Sequence, residues 1–170
     1  MGIKDDCSDS VSRLLSGAAR TITSVHSSWL VTLGKTGVLN ARPMGRLPRD
    51  LDEDAWTIRF LTDARSRKAS DIEHYGKATV TFQDADDAFV ALVGLTRLRE
   101  EISEVNRRWK EGYNVYFPTE QDRANAAFLE VVPQCMELWI RGVTPEPFGL
   151  RPARLERNGQ GGWQMVTCER

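Results

Sequence analysis

The sequence predicts a mainly β protein with peripheral α-helices, a six-stranded antiparallel β-barrel with flanking helices. Three observations carry this reading. Apolar runs rich in Val, Thr, Leu, Phe and Trp fall at residues 29–33, 38–47, 56–62, 78–82, 89–98 and 130–139, and several alternate in polarity as half-buried strands do. Turn signals punctuate them, Gly34-Lys35-Thr36-Gly37 after the first run and Asp84-Ala85-Asp86-Asp87 after the fourth. One helical stretch lies between these two hairpins, and hairpin-linked pairs arranged in this way curl an antiparallel sheet into a barrel.

The elements follow in order. Residues 1–10 are polar and acidic and read as a flexible N-terminus. Ser8 or Ser10 caps a first helix, whose Val11, Leu14, Leu15, Ala18, Ala19 and Ile22 form one apolar stripe. The second strand contains Arg42-Pro43-Met44-Gly45, and a proline there marks an edge, a bulge or a ligand-lined stretch. Residues 48–54 are a charged loop. The third strand ends at Thr62-Asp63, a polar loop follows, and Ala69, Ile72 and Tyr75 begin a helical spacing that Gly76 stops. In the long fifth strand Gly94 marks a bulge or a close backbone approach.

From residue 100 to 110 the period changes, with Ile102, Val105 and Trp109 on one helical face. Residues 121–129 read as another short helix with Ala124, Ala127 and Phe128 inward. The last barrel strand ends at Trp139. Residues 142–152, with Pro145, Pro147 and Gly149, form an arm, and 154–157 pairs with 163–167 across Asn158-Gly159-Gln160-Gly161-Gly162 as a hairpin. The expected division is therefore a barrel domain over 11–141, with the arm and hairpin of 142–170 packed on it.

Bulk properties exclude several function classes. At 170 residues, 41% hydrophobic and 28% charged, one domain with a core needing no covalent staples is expected. The 23 basic and 24 acidic residues nearly balance, which argues against nucleic acid or an anionic membrane as the main partner. No apolar run approaches the ~20 residues that span a bilayer, and residues 1–10 carry no signal-peptide core. Cys7, Cys135 and Cys168 are odd in number and far apart, which fits a reducing cytoplasm. His26 and His74 have no companion at ligand spacing, so no metal site is expected.

Chemistry concentrates at residues 62–68. Arg65, Arg67 and Lys68, with the hydroxyls of Thr62 and Ser66, sit at a strand-to-helix junction. Free N–H groups at a helix start beside basic side chains suit a phosphate; a solvated, charged helix start is the other reading. If the strand bearing Arg42 pairs with the one before Arg67-Lys68, all three cations could converge on one dianion. Trp29, Trp56 and Trp109 read as core. Trp139, at a strand end, either packs in the core or an interface or stacks on an aromatic ligand. No side chain stands out as a nucleophile, acid or base and no glycine-rich nucleotide loop is present, so any chemistry is expected to come from a cofactor.

Phe60-Leu61-Thr62, Ser66-Arg67-Lys68-Ala69, Ile72-Glu73, Val80-Thr81-Phe82 and residues 90–94, with Arg42-Pro43-Met44 upstream, resemble the pyridoxamine 5′-phosphate oxidase-like split-barrel flavoproteins. Trp109, Tyr116-Phe117-Pro118, Gln121-Asp122, residues 131–133 and Glu137-Leu138-Trp139 look most like the general stress protein branch. The resemblance covers residues 11–141. It implies a split β-barrel homodimer with two sites for flavin mononucleotide (FMN; FAD is the alternative) at the subunit interface. It implies that Arg42, Pro43, Met44, Leu61, Thr62, Ser66, Arg67 and Lys68 hold flavin and phosphate from one subunit, while Trp139 approaches from the other. It also implies a flavin-dependent oxidoreductase, stress-related, working with a small-molecule electron donor or acceptor. A flavin-binding or stress-sensing module without turnover is the alternative. Pyridoxamine phosphate oxidation is disfavoured, because Phe148-Gly149-Leu150-Arg151-Pro152 lacks the histidine of the Arg-Leu-His-x-Arg segment that handles that substrate.

Overall fold

The computed structural model describes residues 3–49 and 54–166. Among them the chain runs α1 (Ile3–Ser24), β1 (Ser27–Leu33), β2 (Leu39–Gly45), β3 (Ile58–Asp63), α2 (Arg67–Tyr75), β4 (Lys77–Gln83), β5 (Phe89–Arg99), α3 (Ile102–Arg108), a 3-10 turn (Glu111–Val115), α4 (Glu120–Arg123), β6 (Ala126–Trp139), β7 (Ala153–Arg157) and β8 (Trp163–Val166). All strand pairs are antiparallel, in the order β2-β1-β4-β5-β6-β7-β8, with β3 paired separately to β6. The 14-residue β6 is the hub. Its first half pairs with β3 (Ile58↔Val131 to Asp63↔Ala126), its residues 128–139 with β5, and its residues 135–138 with β7.

Six strands, β2-β1-β4-β5-β6-β3, are those expected for the barrel. The C-terminal hairpin adds two more to the same sheet, giving eight, because β7 lays its backbone along residues 135–138 of β6. Between the ends of the six-strand path no ladder joins the described residues. Just beyond β2, Leu47 N donates to Arg59 O at 2.9 Å. The hairpin is also pinned by Arg157, whose guanidinium reaches Asp54 at 2.6 Å and lies 4.5 Å over the Trp163 ring, while Trp163 meets Trp56 edge-on.

The main core lies inside the curled sheet. Phe60, Val80, Phe82, Val90, Leu92, Leu129, Met136, Leu138 and Leu155 are fully buried there. Burying each large apolar side chain stabilises by about 1.5–3 kcal/mol relative to leaving it in water. Leu14, Ala18 and Ile22 of α1, spaced four apart, cover part of this core. A smaller cluster of Val105, Tyr113, Phe117, Ala126 and Phe128 sits under α3 and the 3-10 turn.

Several expectations are corrected. α1 begins at Ile3, so the helix includes residues read as a flexible lead. The helix expected over 121–129 is only the four-residue α4; Ala126 to Leu129 belong to β6. Those residues are wholly buried, Leu129 in the main core and Ala126 and Phe128 in the second cluster. With both faces covered, the strand shows no alternation of polarity. Trp29 is 55% exposed rather than core, because it lies on the outward face of β1. Ile102 is also exposed, leaving Val105 as the buried residue of α3. Gly94 marks both a register shift between β5 and β6 and a close approach of their backbones.

α3 is tied to the sheet by charge. Glu104 accepts from Arg107 Nη2 at 2.9 Å and from Arg108 Nε at 2.6 Å, and Arg108 Nη1 reaches the buried Glu130 at 3.3 Å. The hydrogen bond from Arg107, followed by that from Arg108, holds the Glu104 carboxyl down at about 2. A carboxyl with a depressed folded value stabilises above its ordinary titration range and loses that contribution as pH falls through the folded value. The protection of α3 amides is therefore expected to fall progressively between about pH 4.5 and about pH 2, and to be lower at pH 5 in Glu104→Gln than in the wild-type chain. Equal protection in both proteins at pH 5 would show that this pair does not hold α3.

Candidate phosphate-binding site

The junction of β3 and α2 has a definite local cause. Asp63 ends β3, and its carboxylate accepts from Arg65 N at 2.7 Å, Arg65 Nε at 3.0 Å and Arg65 Nη2 at 2.7 Å. Arg65 is thus taken up by Asp63. Its hydrogen bond is also the first cause of the Asp63 carboxyl lying below its ordinary value. Ser66, in extended conformation, caps α2 and accepts from Ala69 N at 3.4 Å. Gly76 closes the helix in the left-handed conformation at φ 63°. The first turn of α2 contains no acidic residue.

Arg67 and Lys68 project from this first turn. Arg67 is exposed and Lys68 half-buried, and neither side chain has a hydrogen-bond or ion-pair partner among the described residues. The Thr62 and Ser66 hydroxyls lie 3.3 Å apart beside them. Burial, and then the charge of Arg42, lower the Lys68 ammonium below the ordinary lysine value, with Asp63 opposing. Burial likewise lowers Arg42, Asp71 opposes, and Arg67 adds to the lowering. The three cations therefore stand in one another's field.

Arg42 does not arrive by strand pairing. β2 pairs with β1, and β3 with β6. Instead its side chain crosses β1, donating from Nη1 to Thr32 Oγ1 at 2.7 Å and to Leu30 O at 3.3 Å. It stands 3.8 Å from Asp71 Oδ2 on α2. Asp71 is buried and also accepts from Thr32 Oγ1 at 2.9 Å and Asn40 Nδ2 at 3.2 Å. Thr32, Asn40 and Asp71 thus hold Arg42 toward α2. These three were missed in the sequence, where the signal was two polar residues, Asn40 and Arg42, at inward positions of one strand.

The remaining expected residues divide. Met44 shares the inward face of β2 with Arg42 and packs on the main core. Pro43 points the other way, opposite Trp29 in the register, on the sheet's edge strand. Thr62 is buried at the end of β3, and Leu61 packs on the second cluster. Trp139 lies apart. With Trp29, Phe89 and Phe148 it lines an aromatic cavity of about 400 Å³ whose walls include none of Arg42, Thr62, Ser66, Arg67 or Lys68. Phe148, from the arm, is held there by the Arg141 guanidinium, 4.3 Å over its ring.

A cluster of three cations and two hydroxyls with one carboxylate carries net positive charge. A phosphate dianion placed among Arg42, Arg67 and Lys68 would offset the repulsion that adds to burial in lowering Arg42 and Lys68. The donor set therefore fits the phosphate of a flavin nucleotide.

A search of curated proteins finds no match. Among solved structures, a general stress protein 26-related protein of Clostridium acetobutylicum is 18% identical, with 85% of this chain and 94% of that one covered at a TM-score of 0.67. A pyridoxamine 5′-phosphate oxidase-related, FMN-binding protein of Nostoc punctiforme is 16% identical over 98% and 97%, with a TM-score of 0.64. General stress protein 26 of Bacillus anthracis is 17% identical over 75% and 91%, with a TM-score of 0.56. At these identities the likeness shows the fold, an antiparallel β architecture with few helices. The family description "Pyridoxamine 5′-phosphate oxidase like" matches residues 16–145. With most of its length matched, the chain belongs to the pyridoxamine 5′-phosphate oxidase-like family.

Proposed function

We propose that this protein binds FMN and acts as a flavin-dependent oxidoreductase. The observation that carries the reading is the unspent pair Arg67 and Lys68 at the capped start of α2, with Arg42 brought beside them by Asp71. Arg42, Arg67, Lys68 and the Ser66 and Thr62 hydroxyls hold the phosphate, and the chain around Leu61 and Met44 borders the ring. Bound FMN would supply hydride or electron transfer at its ring, which this chain's own side chains do not offer.

The functional unit in this reading is a homodimer. The outward sheet face exposes Trp29 (55%), Leu39 (70%), Val93 (40%) and Leu95 (45%), an apolar surface suited to a second copy. Trp139, which lines a cavity that contains none of its own chain's cradle cations, then serves the site of the other copy. Phe148 lines the same cavity as this tryptophan, so in this reading the arm limits which donors or acceptors reach the ring.

Purified protein is expected to show the absorption of bound flavin, or to quench the fluorescence of added FMN. A colourless protein that leaves FMN fluorescence unchanged overturns the proposal. A non-catalytic flavin-binding module is the second reading, favoured by the fact that Asp71, the carboxylate at the cradle, is already engaged with Thr32, Asn40 and Arg42. Anaerobic addition of reduced nicotinamide cofactor separates the two: bleaching of the flavin at a catalytic rate supports the enzyme, and persistent colour with several donors supports the module.

A further inference from the structure

Arg67 borders a second cavity, of about 370 Å³, between α2 and the turn joining β1 to β2. This lies within the roughly 300–1,000 Å³ of small-ligand pockets. Its walls include Lys35 and Thr36 from the turn, Asn40 from β2, and Ser70 and Asp71 from α2. Lys35, like Arg67, is exposed and has no side-chain partner among the described residues. Asp71 is 4% exposed, and every hydrogen bond it accepts falls on Oδ2. Its Oδ1 has no hydrogen-bond partner among the described residues and lies 3.8 Å from where a Cβ on Gly34 would stand. Such a Cβ would also sit 2.8 Å from Asn40 Nδ2, so a side chain at Gly34 would displace an amide of the cavity wall.

The mixture of charges restricts what fits. Two free cations attract phosphate. The unpartnered carboxylate oxygen of Asp71 beside them would repel a bare polyphosphate, yet it accepts well from sugar hydroxyls, as acidic residues in nucleotide sites do for ribose. A ribose phosphate satisfies both. Because Arg67 borders the cradle and this cavity alike, one ligand can place adjacent phosphates on its two sides. We infer that the cavity binds the second phosphate and ribose of a flavin dinucleotide, with Lys35 and Arg67 on the diphosphate and Asp71 Oδ1 on the sugar. This rests on the flavin reading above, and it makes flavin adenine dinucleotide, rather than FMN alone, the better ligand.

The test measures binding of FMN, flavin adenine dinucleotide and ADP, by calorimetry, to the full chain and to Lys35→Glu, at about 0.15 M salt to screen distant charge. The wild-type chain is expected to bind the dinucleotide at least about tenfold more tightly than FMN. Lys35→Glu should lose about tenfold or more in affinity for the dinucleotide and for ADP, but less than about threefold for FMN. ADP binding that Lys35→Glu abolishes, without flavin binding, would uphold the cavity and overturn the flavin reading. Tight FMN binding with a weaker dinucleotide, or equal losses for both flavins, would overturn this inference and leave that reading intact. If none of the three ligands binds, both fall.

Discussion

Gly94→Ala is expected to destabilise the protein by at least about 3 kcal/mol, and to lower its melting temperature by roughly 6–12 °C at this chain length. A Cβ on Gly94 would stand 2.3 Å from Val132 O, 2.7 Å from Val132 C and 2.8 Å from Pro133 Cα. All three are backbone atoms of the facing strand, so no side chain can rotate away. The approach is close because the register shifts here: Val93 pairs with Cys135 but Gly94 with Pro133, which leaves Gln134 as an extra residue on β6. Pro133 has no N–H to give to the ladder, so the bulge sits where one hydrogen bond is already forgone. Relief requires β5 and β6 to part, and β6 also carries β3 and β7. Gly112→Ala is the control, since nothing lies within 4 Å of a Cβ there. Calorimetry of both variants decides the matter. A Gly94→Ala protein as stable as wild type would mean that the two strands do not meet in this way.

The same strand shows what a sequence exposes and what it conceals. Strands with one covered face, such as β4 with its alternating burial, announce themselves by polarity. The first half of β6 does not, since the main core takes one face and the Tyr113–Phe128 cluster the other. An apolar run without alternation reads as helix as easily as strand. Trp29 misleads for a related reason: tryptophan is usually core, and its place on an uncovered sheet face depends on what lies opposite. The strand end at Thr62-Asp63, the cations after it and the Gly76 stop were legible because their causes lie within a few residues, whereas the cap itself falls on Ser66. The link from Asp71 to Arg42 was not. It joins α2 to β2 across β1, a contact that arises only when the sheet curls and brings α2 against β1.

Replacing Arg67 and Lys68 together by alanine is expected to weaken FMN binding by about a hundredfold to a thousandfold, while riboflavin, which lacks the phosphate, changes by less than about threefold. A hydrogen bond to a charged group is worth roughly 1.5–3 kcal/mol, and the exposure of Arg67 places the pair toward the lower end of the sum. Neither side chain has a partner among the described residues, so their removal breaks no internal ion pair and the fold should persist. Circular dichroism on the variant verifies that directly. The pH dependence adds a second readout. A phosphate monoester loses its second proton near pH ~6, so affinity should fall on the acid side as the dianion disappears. On the alkaline side it should fall once Lys68 deprotonates, and earlier than for an ordinary lysine, since burial and Arg42 lower that group. For stability the sign is opposite. In the free protein the unfolded chain holds this proton more readily than the folded one. Stability from Lys68 therefore rises with pH between its lowered value and the ordinary lysine range, and bound phosphate should remove that rise. Equal losses for FMN and riboflavin would show that these cations support the fold of the site rather than hold a phosphate.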